Sequence, residues 1–222
     1  MELPTYNTFE FPFAPMRRLR HSSITLSRLP VRAVTLFLAC LLTICSDSLA
    51  QRGPSSTGQK TALHLDGTAA DPFLAASGKP VVLVFVRTDC PISNRYAPLI
   101  QRVSSEYGAK VAMWLVYPSR ASTAEKIRQH ERDYGYNVPA LRDPQHALVT
   151  QAQVQITPEV AVFDANHHLL YHGRIDDLYQ DFGHARRAAT TRELEDAIQA
   201  ALSGKTPPPS TPGVGCYIAD LE

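Results

Sequence analysis

Cys90 follows an apolar run and directly precedes Pro91-Ile92-Ser93. The run, Val81–Val86, is made of six mostly β-branched residues, and this composition predicts a central strand buried on both faces. Open α/β sheets place their sites at the carboxyl ends of such strands. If a helix begins after Cys90, its N–H groups and dipole favour the thiolate and lower the pKa of the thiol. The pattern therefore predicts a reactive thiol, and the alternative is a buried structural cysteine.

The first fifty residues have the pattern of a secretory signal. Arginines between residues 17 and 32 precede a short apolar stretch, residues 33–44, and Ser48-Leu49-Ala50 resembles a cleavage site. We predict a signal peptide over residues 1–50, with Met16 as a possible true start and cleavage after Ala50. The expected location is therefore exported and periplasmic. The alternative is an inner-membrane anchor formed by residues 33–44.

The cysteine count becomes informative once the signal is removed. The chain has four cysteines, and Cys40 and Cys45 leave with the signal. The mature chain then keeps Cys90 and Cys216, and an oxidising compartment permits a bridge between them. Cys216 is either a functional partner of Cys90, half of a structural bridge, or unpaired. A bridge would close a loop of about 126 residues, for which chain entropy gives about 5 kcal/mol.

The rest of the chain predicts one domain between a linker and a tail. We assign residues 51–61 to the linker, 62–204 to the domain, and 205–222 to a Pro-rich extended tail that carries Cys216. Hydrophobic periodicity predicts the order β-α-β-α-β-α-β-β-α within the domain. This order favours an α/β fold with a mixed central sheet flanked by helices. Gly213 and Gly215 are expected to give the tail local freedom near Cys216.

Three further segments carry predictions. Ser122 opens a capping box, Ser-Thr-Ala-Glu, before a polar helix. Residues 174–189 are predicted as an irregular loop that either gates the thiol or forms a solvated charge network. His167 and His168 lie on a hairpin turn and are interpreted as solvated rather than as metal ligands. The net charge of +1 gives no indication of a nucleic-acid partner.

The order of these elements around Cys90-Pro91-Ile92-Ser93 and Thr157-Pro158 resembles the thioredoxin fold. The resemblance covers roughly residues 62–203, and the nearest branch is the redoxin group, which includes alkyl hydroperoxide reductase and thiol-specific antioxidant proteins. The stretch from Asp89 to Pro98, Gly173-Arg174-Ile175-Asp176-Asp177 and Gly215-Cys216 resemble exported bacterial redoxin-domain proteins.

The resemblance implies roles for individual residues. Cys90 matches the first cysteine of the thioredoxin motif and the peroxidatic cysteine of peroxiredoxins, and Pro158 matches the cis-proline of thioredoxins. Ser93 stands where thioredoxin has its second cysteine. Peroxiredoxins have Thr or Ser where this chain has Arg87, with Thr88 one residue closer to the cysteine. They also have an arginine roughly at Pro158, so these two departures disfavour a peroxidase.

From these arguments we predict a candidate site. Its catalytic residues are Cys90 and Cys216. The residues expected to bind substrate or tune the thiolate are Arg87, Thr88, Pro91, Ser93, Arg95, Thr157, Pro158 and Arg174. We expect no metal ligands and no cofactor.

The leading functional hypothesis is an exported thiol-based oxidoreductase. Cys90 would attack a disulfide or a hydroperoxide, and Cys216 or an external thiol reductant would resolve the product. The expected partners are a thiol or disulfide protein, or a hydroperoxide, together with that reductant. The alternatives are a copper-binding or other metal-binding accessory protein and a non-catalytic thioredoxin-like binding domain.

Overall fold

The computed structural model describes residues 61–219. The strands are β1 Ala62–Leu63, β2 Ala69–Ala70, β3 Val81–Phe85, β4 Ala112–Tyr117, β5 Ala140–Arg142, β6 Ile156–Thr157, β7 Glu159–Phe163, β8 Leu169–Gly173, β9 Tyr179–Asp181, β10 His184–Ala185 and β11 Cys216–Tyr217. The helices are α1 Pro72–Ala75, α2 Pro91–Arg95, α3 Ala97–Tyr107, α4 Ala124–Tyr134, α5 Ala147–Ala152 and α6 Glu193–Ser203.

Seven strands form the central mixed sheet in the order β2-β1-β5-β4-β3-β7-β8. β3, β4 and β5 are parallel, whereas β7 and β8 run antiparallel to their neighbours. Parallel strands require crossover helices, and α3 and α4 supply them. The predicted α/β fold, with its mixed sheet flanked by helices, is confirmed.

The core lies on both faces of β3, because successive side chains of a strand point to opposite faces. Val82 and Val84 are fully buried on the face that packs against α3, α4 and α6. Leu83 and Phe85 are fully buried on the other face, in the cluster that includes residues of α1 and α5. This two-sided burial is the reason for the continuous apolar run that precedes Cys90.

The structure refines three local predictions. The N-cap of α4 is Thr123, whose hydroxyl accepts a hydrogen bond from the Lys126 amide, so the helix begins one residue later than the box at Ser122 predicted. The loop over residues 174–189 contains the short hairpin β9–β10. The extended tail forms β11, which pairs with β6.

Two acidic residues hold the loop after β8 against the domain. Asp176 is buried and accepts a hydrogen bond from the Tyr96 hydroxyl at 2.5 Å. Asp177 is also buried, and its carboxylate accepts hydrogen bonds from the backbone amides of Thr190 and Thr191, just before α6. The Thr190 hydroxyl and these amides hold the pKa of Asp177 far below its ordinary value, and Arg186 adds to the effect.

The predicted signal and the apolar stretch 33–44 lie outside the described residues. Among residues 61–219, no helix has both the length and the apolar character needed to cross a bilayer.

We predict that Asp177→Asn destabilises the protein by about 1–3 kcal/mol at neutral pH, because it weakens three hydrogen bonds to a carboxylate. A lowered pKa in the folded state means that the stabilisation is present above the unfolded value of about 3.9 and is lost as pH falls below it. The difference from wild type in urea midpoint should therefore shrink at pH of about 3. Asp133→Asn, at an exposed position, is the control, and an equal midpoint for Asp177→Asn at neutral pH would contradict the account.

Candidate functional site

Cys90 is the N-cap residue of α2, between the end of β3 and the proline that begins the helix. Pro91 suits the first helical position, because its missing N–H has no partner there. The Cys90 side chain is fully buried, and its thiol donates a hydrogen bond to the Thr157 carbonyl at 3.3 Å. The predicted strand-end position before a helix is therefore confirmed.

Thr157 and Pro158 lie opposite the thiol, between β6 and β7. The peptide bond between them is cis, as predicted. Thr157 is fully buried, and its hydroxyl donates to the carbonyl of Cys216 at 3.2 Å. One residue thus contacts both cysteines, Cys90 through its carbonyl and Cys216 through its hydroxyl.

The tail brings Cys216 to the same point. β11 pairs antiparallel with β6, with Cys216 opposite Thr157 and Tyr217 opposite Ile156. The two sulfur atoms, of Cys90 and Cys216, are 3.0 Å apart, and both thiols are free. A disulfide bond is about 2.05 Å long, so a shift of about 1 Å would join the sulfurs.

The two thiols differ in acidity. Burial opposes ionisation of Cys90, but hydrogen bonds from the Ser93 hydroxyl, from the Cys216 thiol and from the amides of Ser93 and Ile92 lower its pKa below the ordinary value. Burial and the neighbouring Cys90 raise the pKa of Cys216 to about 11. Cys90 is therefore the more acidic of the two thiols, and Cys216 is the one that keeps its proton to higher pH.

Ser93 is fully buried one turn into α2. Beside the neutral thiol its hydroxyl has no hydrogen-bond partner of good geometry among the described residues. Ionisation of Cys90 supplies an acceptor for that proton, so a buried polar group left unsatisfied beside the thiol becomes satisfied beside the thiolate. This is the physical cause of the contribution of Ser93 to the low pKa.

The two arginines near Cys90 in sequence occupy different positions. The Arg87 guanidinium forms an ion pair with Asp89 at 2.8 Å and donates to the Tyr217 carbonyl at 3.3 Å. Arg87 therefore contacts the tail beside Cys216, whereas none of its three hydrogen bonds reaches Cys90. Arg95 is exposed at the end of α2.

Two other predicted residues support the surroundings of the thiols. Arg174 pairs with Glu193 at the start of α6, and its amide donates to Thr211 in the tail at 2.8 Å. The Thr88 carbonyl accepts a hydrogen bond from the Asn94 side chain at 3.4 Å. Neither residue is among the hydrogen-bond partners of the two sulfurs.

Sequence reasoning missed a polar network behind α2. The buried His130 ring contacts the Tyr117 hydroxyl and the Asn94 side chain, both at 2.9 Å. Burial lowers the pKa of His130, so the ring is neutral at pH 7. The backbone N–H of Asn94 in turn donates to the backbone carbonyl of Cys90 at 3.0 Å. The sequence feature that could have predicted this network is a histidine on the apolar face of α4.

Sequence reasoning also missed Glu159, a buried carboxyl group on β7 beside Pro158. The sequence feature that could have revealed it is a charged residue at the start of an otherwise apolar strand.

No group of three His, Cys, Asp or Glu residues within residues 61–219 is placed to hold a metal ion.

The fold and its adjacent thiols define a thioredoxin-like protein whose chemistry is thiol-based. A model of the Redoxin family matches residues 51–184, and the chain belongs to that family. A comparison with curated proteins gave no match.

Solved structures show the same fold. A hypothetical protein from Sinorhizobium meliloti is 22% identical with a TM-score of 0.62, covering 71% of this chain and 88% of that one. An uncharacterized conserved protein from Geobacillus kaustophilus is 20% identical with a TM-score of 0.60, covering 71% and 86%. A secreted disulfide oxidoreductase from Mycobacterium tuberculosis is 23% identical with a TM-score of 0.43, covering 50% and 80%. The first two likenesses concern the fold alone at these identities, and the third, with a TM-score below 0.5, adds no support to the fold.

We predict that Cys90 titrates below the free-thiol pKa of about 8.5 in the reduced protein, and that Ser93→Ala raises its pKa. The measurement is the ultraviolet absorbance of the thiolate against pH, taken as the difference from Cys90→Ser. Cys216 loses its proton at a much higher pH, so the lower step of the titration corresponds to loss of the first proton from the cysteine pair. Ser105→Ala, at an exposed serine, is the control. A lower step at or above about 8.5 would contradict the assignment of the thiolate.

Proposed function

We propose that this protein is an exported thiol–disulfide oxidoreductase in which Cys90 is the nucleophile and Cys216 the resolving thiol. The observation that carries the proposal is the 3.0 Å separation of the two sulfurs at a buried strand end. The lowered pKa of Cys90 supports its role as the attacking group. Export is supported by the signal pattern in residues 1–50.

The proposed reaction has two exchange steps. The Cys90 thiolate attacks one sulfur of a substrate disulfide, which forms a mixed disulfide and releases the first substrate thiolate. Cys216 then attacks the Cys90 sulfur of the mixed disulfide, gives up its proton to a departing thiolate, and releases the second substrate thiol. The enzyme is left with a Cys90–Cys216 disulfide, and the substrate has gained two electrons and two protons, one proton from Cys216 and one from solvent.

An external thiol reductant completes the cycle. It reduces the Cys90–Cys216 bridge to two thiols and is itself oxidised to a disulfide. The raised pKa of Cys216, about 11, keeps that thiol protonated until a leaving group takes its proton. The substrate is proposed to pair beside Thr157 and Pro158, which requires the tail to leave β6 for the first exchange and to return to it for the second.

The test uses a fluorescent peptide with one internal disulfide, with dithiothreitol as the reductant. We expect the wild type to accelerate reduction of the peptide and Cys90→Ser to lose this acceleration. Cys216→Ser should carry out the first exchange only, so it should accumulate a mixed disulfide with the peptide that mass spectrometry detects. Equal rates for wild type and Cys90→Ser would refute the proposal. A rate enhancement seen only with a hydroperoxide would reassign the protein as a peroxidase.

A further inference from the structure

Glu159 is a buried carboxyl group that joins the tail to the domain. The residue is 4% exposed, and none of the ion pairs of the described residues involves it. One carboxyl oxygen, Oε1, accepts a hydrogen bond from the Gly213 amide at 2.8 Å. The other, Oε2, accepts from the amides of Gln155 at 3.0 Å and Ile156 at 3.3 Å. The carboxyl group therefore fixes the tail and the start of β6 relative to each other.

The tail approaches the domain so closely that two positions accept only glycine. A Cβ atom on Gly215 would lie 2.0 Å from the Thr157 carbonyl oxygen, and one on Gly213 would lie 2.8 Å from the Pro158 carbonyl oxygen. Real Cβ atoms do not approach backbone atoms this closely. The expectation that these glycines give the tail freedom is therefore corrected: they permit close contact.

These contacts lie on both sides of Cys216. Gly213 and Gly215 precede it, and after it the Ile218 amide donates to the Gln155 carbonyl at 2.9 Å. The side chain of Ile218 is buried in the core cluster on one face of the sheet, whereas Val214 and Cys216 pack against the cluster on the other face. The tail from residue 211 to residue 218, here called the tail segment, thus packs against the domain on both sides of Cys216, and its residues Cys216–Tyr217 form β11.

We propose that Glu159 is a positioning residue for Cys216. By accepting the Gly213 hydrogen bond it holds the tail segment on β6, and this places the Cys216 sulfur against Cys90 before any reaction occurs. The inference rests on the proposed function of the cysteine pair. Positioning of this kind raises the effective concentration of one thiol toward the other, which is the quantity that determines how readily an internal disulfide forms.

The experiment measures that effective concentration against glutathione. Formation of the bridge oxidises Cys90 and Cys216 by two electrons and reduces one glutathione disulfide to two glutathione molecules, so the equilibrium is set by the glutathione ratio. The wild type, Glu159→Gln and Gly215→Ala are equilibrated with defined ratios, quenched by alkylation, and analysed by mass spectrometry. The controls are Glu125→Gln and Lys205→Ala, both at exposed positions.

We expect Glu159→Gln to lower the effective concentration at least tenfold, because an amide has one acceptor end and must turn its NH₂ group toward an N–H on one side. Gly215→Ala should lower it at least as much, since its Cβ cannot fit beside Thr157. Both controls should stay within about twofold of wild type. The urea midpoint of each variant, measured in a Cys90→Ser/Cys216→Ser background, separates loss of positioning from loss of folding.

The outcomes distinguish failure of the role of Glu159 from failure of the proposed oxidoreductase function. A wild-type bridge that Glu159→Gln does not weaken overturns the role of Glu159 and leaves the oxidoreductase intact, whatever Gly215→Ala does. If Glu159→Gln fails to fold, Gly213→Ala decides the question, because its Cβ would lie 2.8 Å from Glu159 Cγ and from the Pro158 carbonyl oxygen and would push the Gly213 amide away from the carboxyl group. An undiminished bridge in Gly213→Ala would then overturn the role of Glu159. Absence of a bridge in the wild type, together with equal peptide reduction by wild type and Cys90→Ser, overturns the proposed function and this assignment with it.

Discussion

The antiparallel pairing of β6 with β11 is the constraint on which the site depends. It places Cys216 opposite Thr157, and the carbonyl of Thr157 already contacts the Cys90 thiol. Two cysteines that are 126 residues apart in the chain thereby come within 3.0 Å. Cys90 lies after the end of β3, at one end of the sheet. Cys216 reaches it through the short ladder of β6 and β11. Loss of the ladder would leave Cys90 without its neighbouring thiol.

The pair is also electrostatically asymmetric, and the asymmetry determines which thiol ionises first. Hydrogen bonds converge on Cys90 from Ser93, from Cys216 and from the first turn of α2, and together they outweigh the cost of burial. Cys216 has the opposite balance, because burial and its neighbour both disfavour a second negative charge. Environments that make the pKa values of two titratable groups differ give the two groups different chemical roles. In the proposed reaction one thiol attacks and the other holds its proton until the exchange needs it.

The central part of the fold was accessible from sequence because it depends on local and periodic signals. The apolar run before Cys90 predicted a two-sided strand, whereas the cis bond at Thr157-Pro158 was expected from the resemblance to thioredoxins. By contrast β6 and β11 have two residues each, too few for any periodicity to appear. Their pairing depends on contacts between distant residues, such as Glu159 with Gly213. The same limit applies to Arg95, which is adjacent to the site in sequence but exposed at the far end of α2.

The central claim is that Cys90 and Cys216 act as one redox pair, and the direct measurement is a peptide map under non-reducing conditions. The protein is recovered from its producing cells with free thiols blocked at lysis, digested without reductant, and analysed by mass spectrometry. The account predicts a peptide in which Cys90 is joined to Cys216, two hydrogen masses lighter than the sum of its parts and absent after reduction. Three results would contradict the account. Cys90 could be recovered as sulfinic acid or joined to another chain. Alternatively, both Cys90 and Cys216 could carry the blocking group in protein taken from an oxidising compartment.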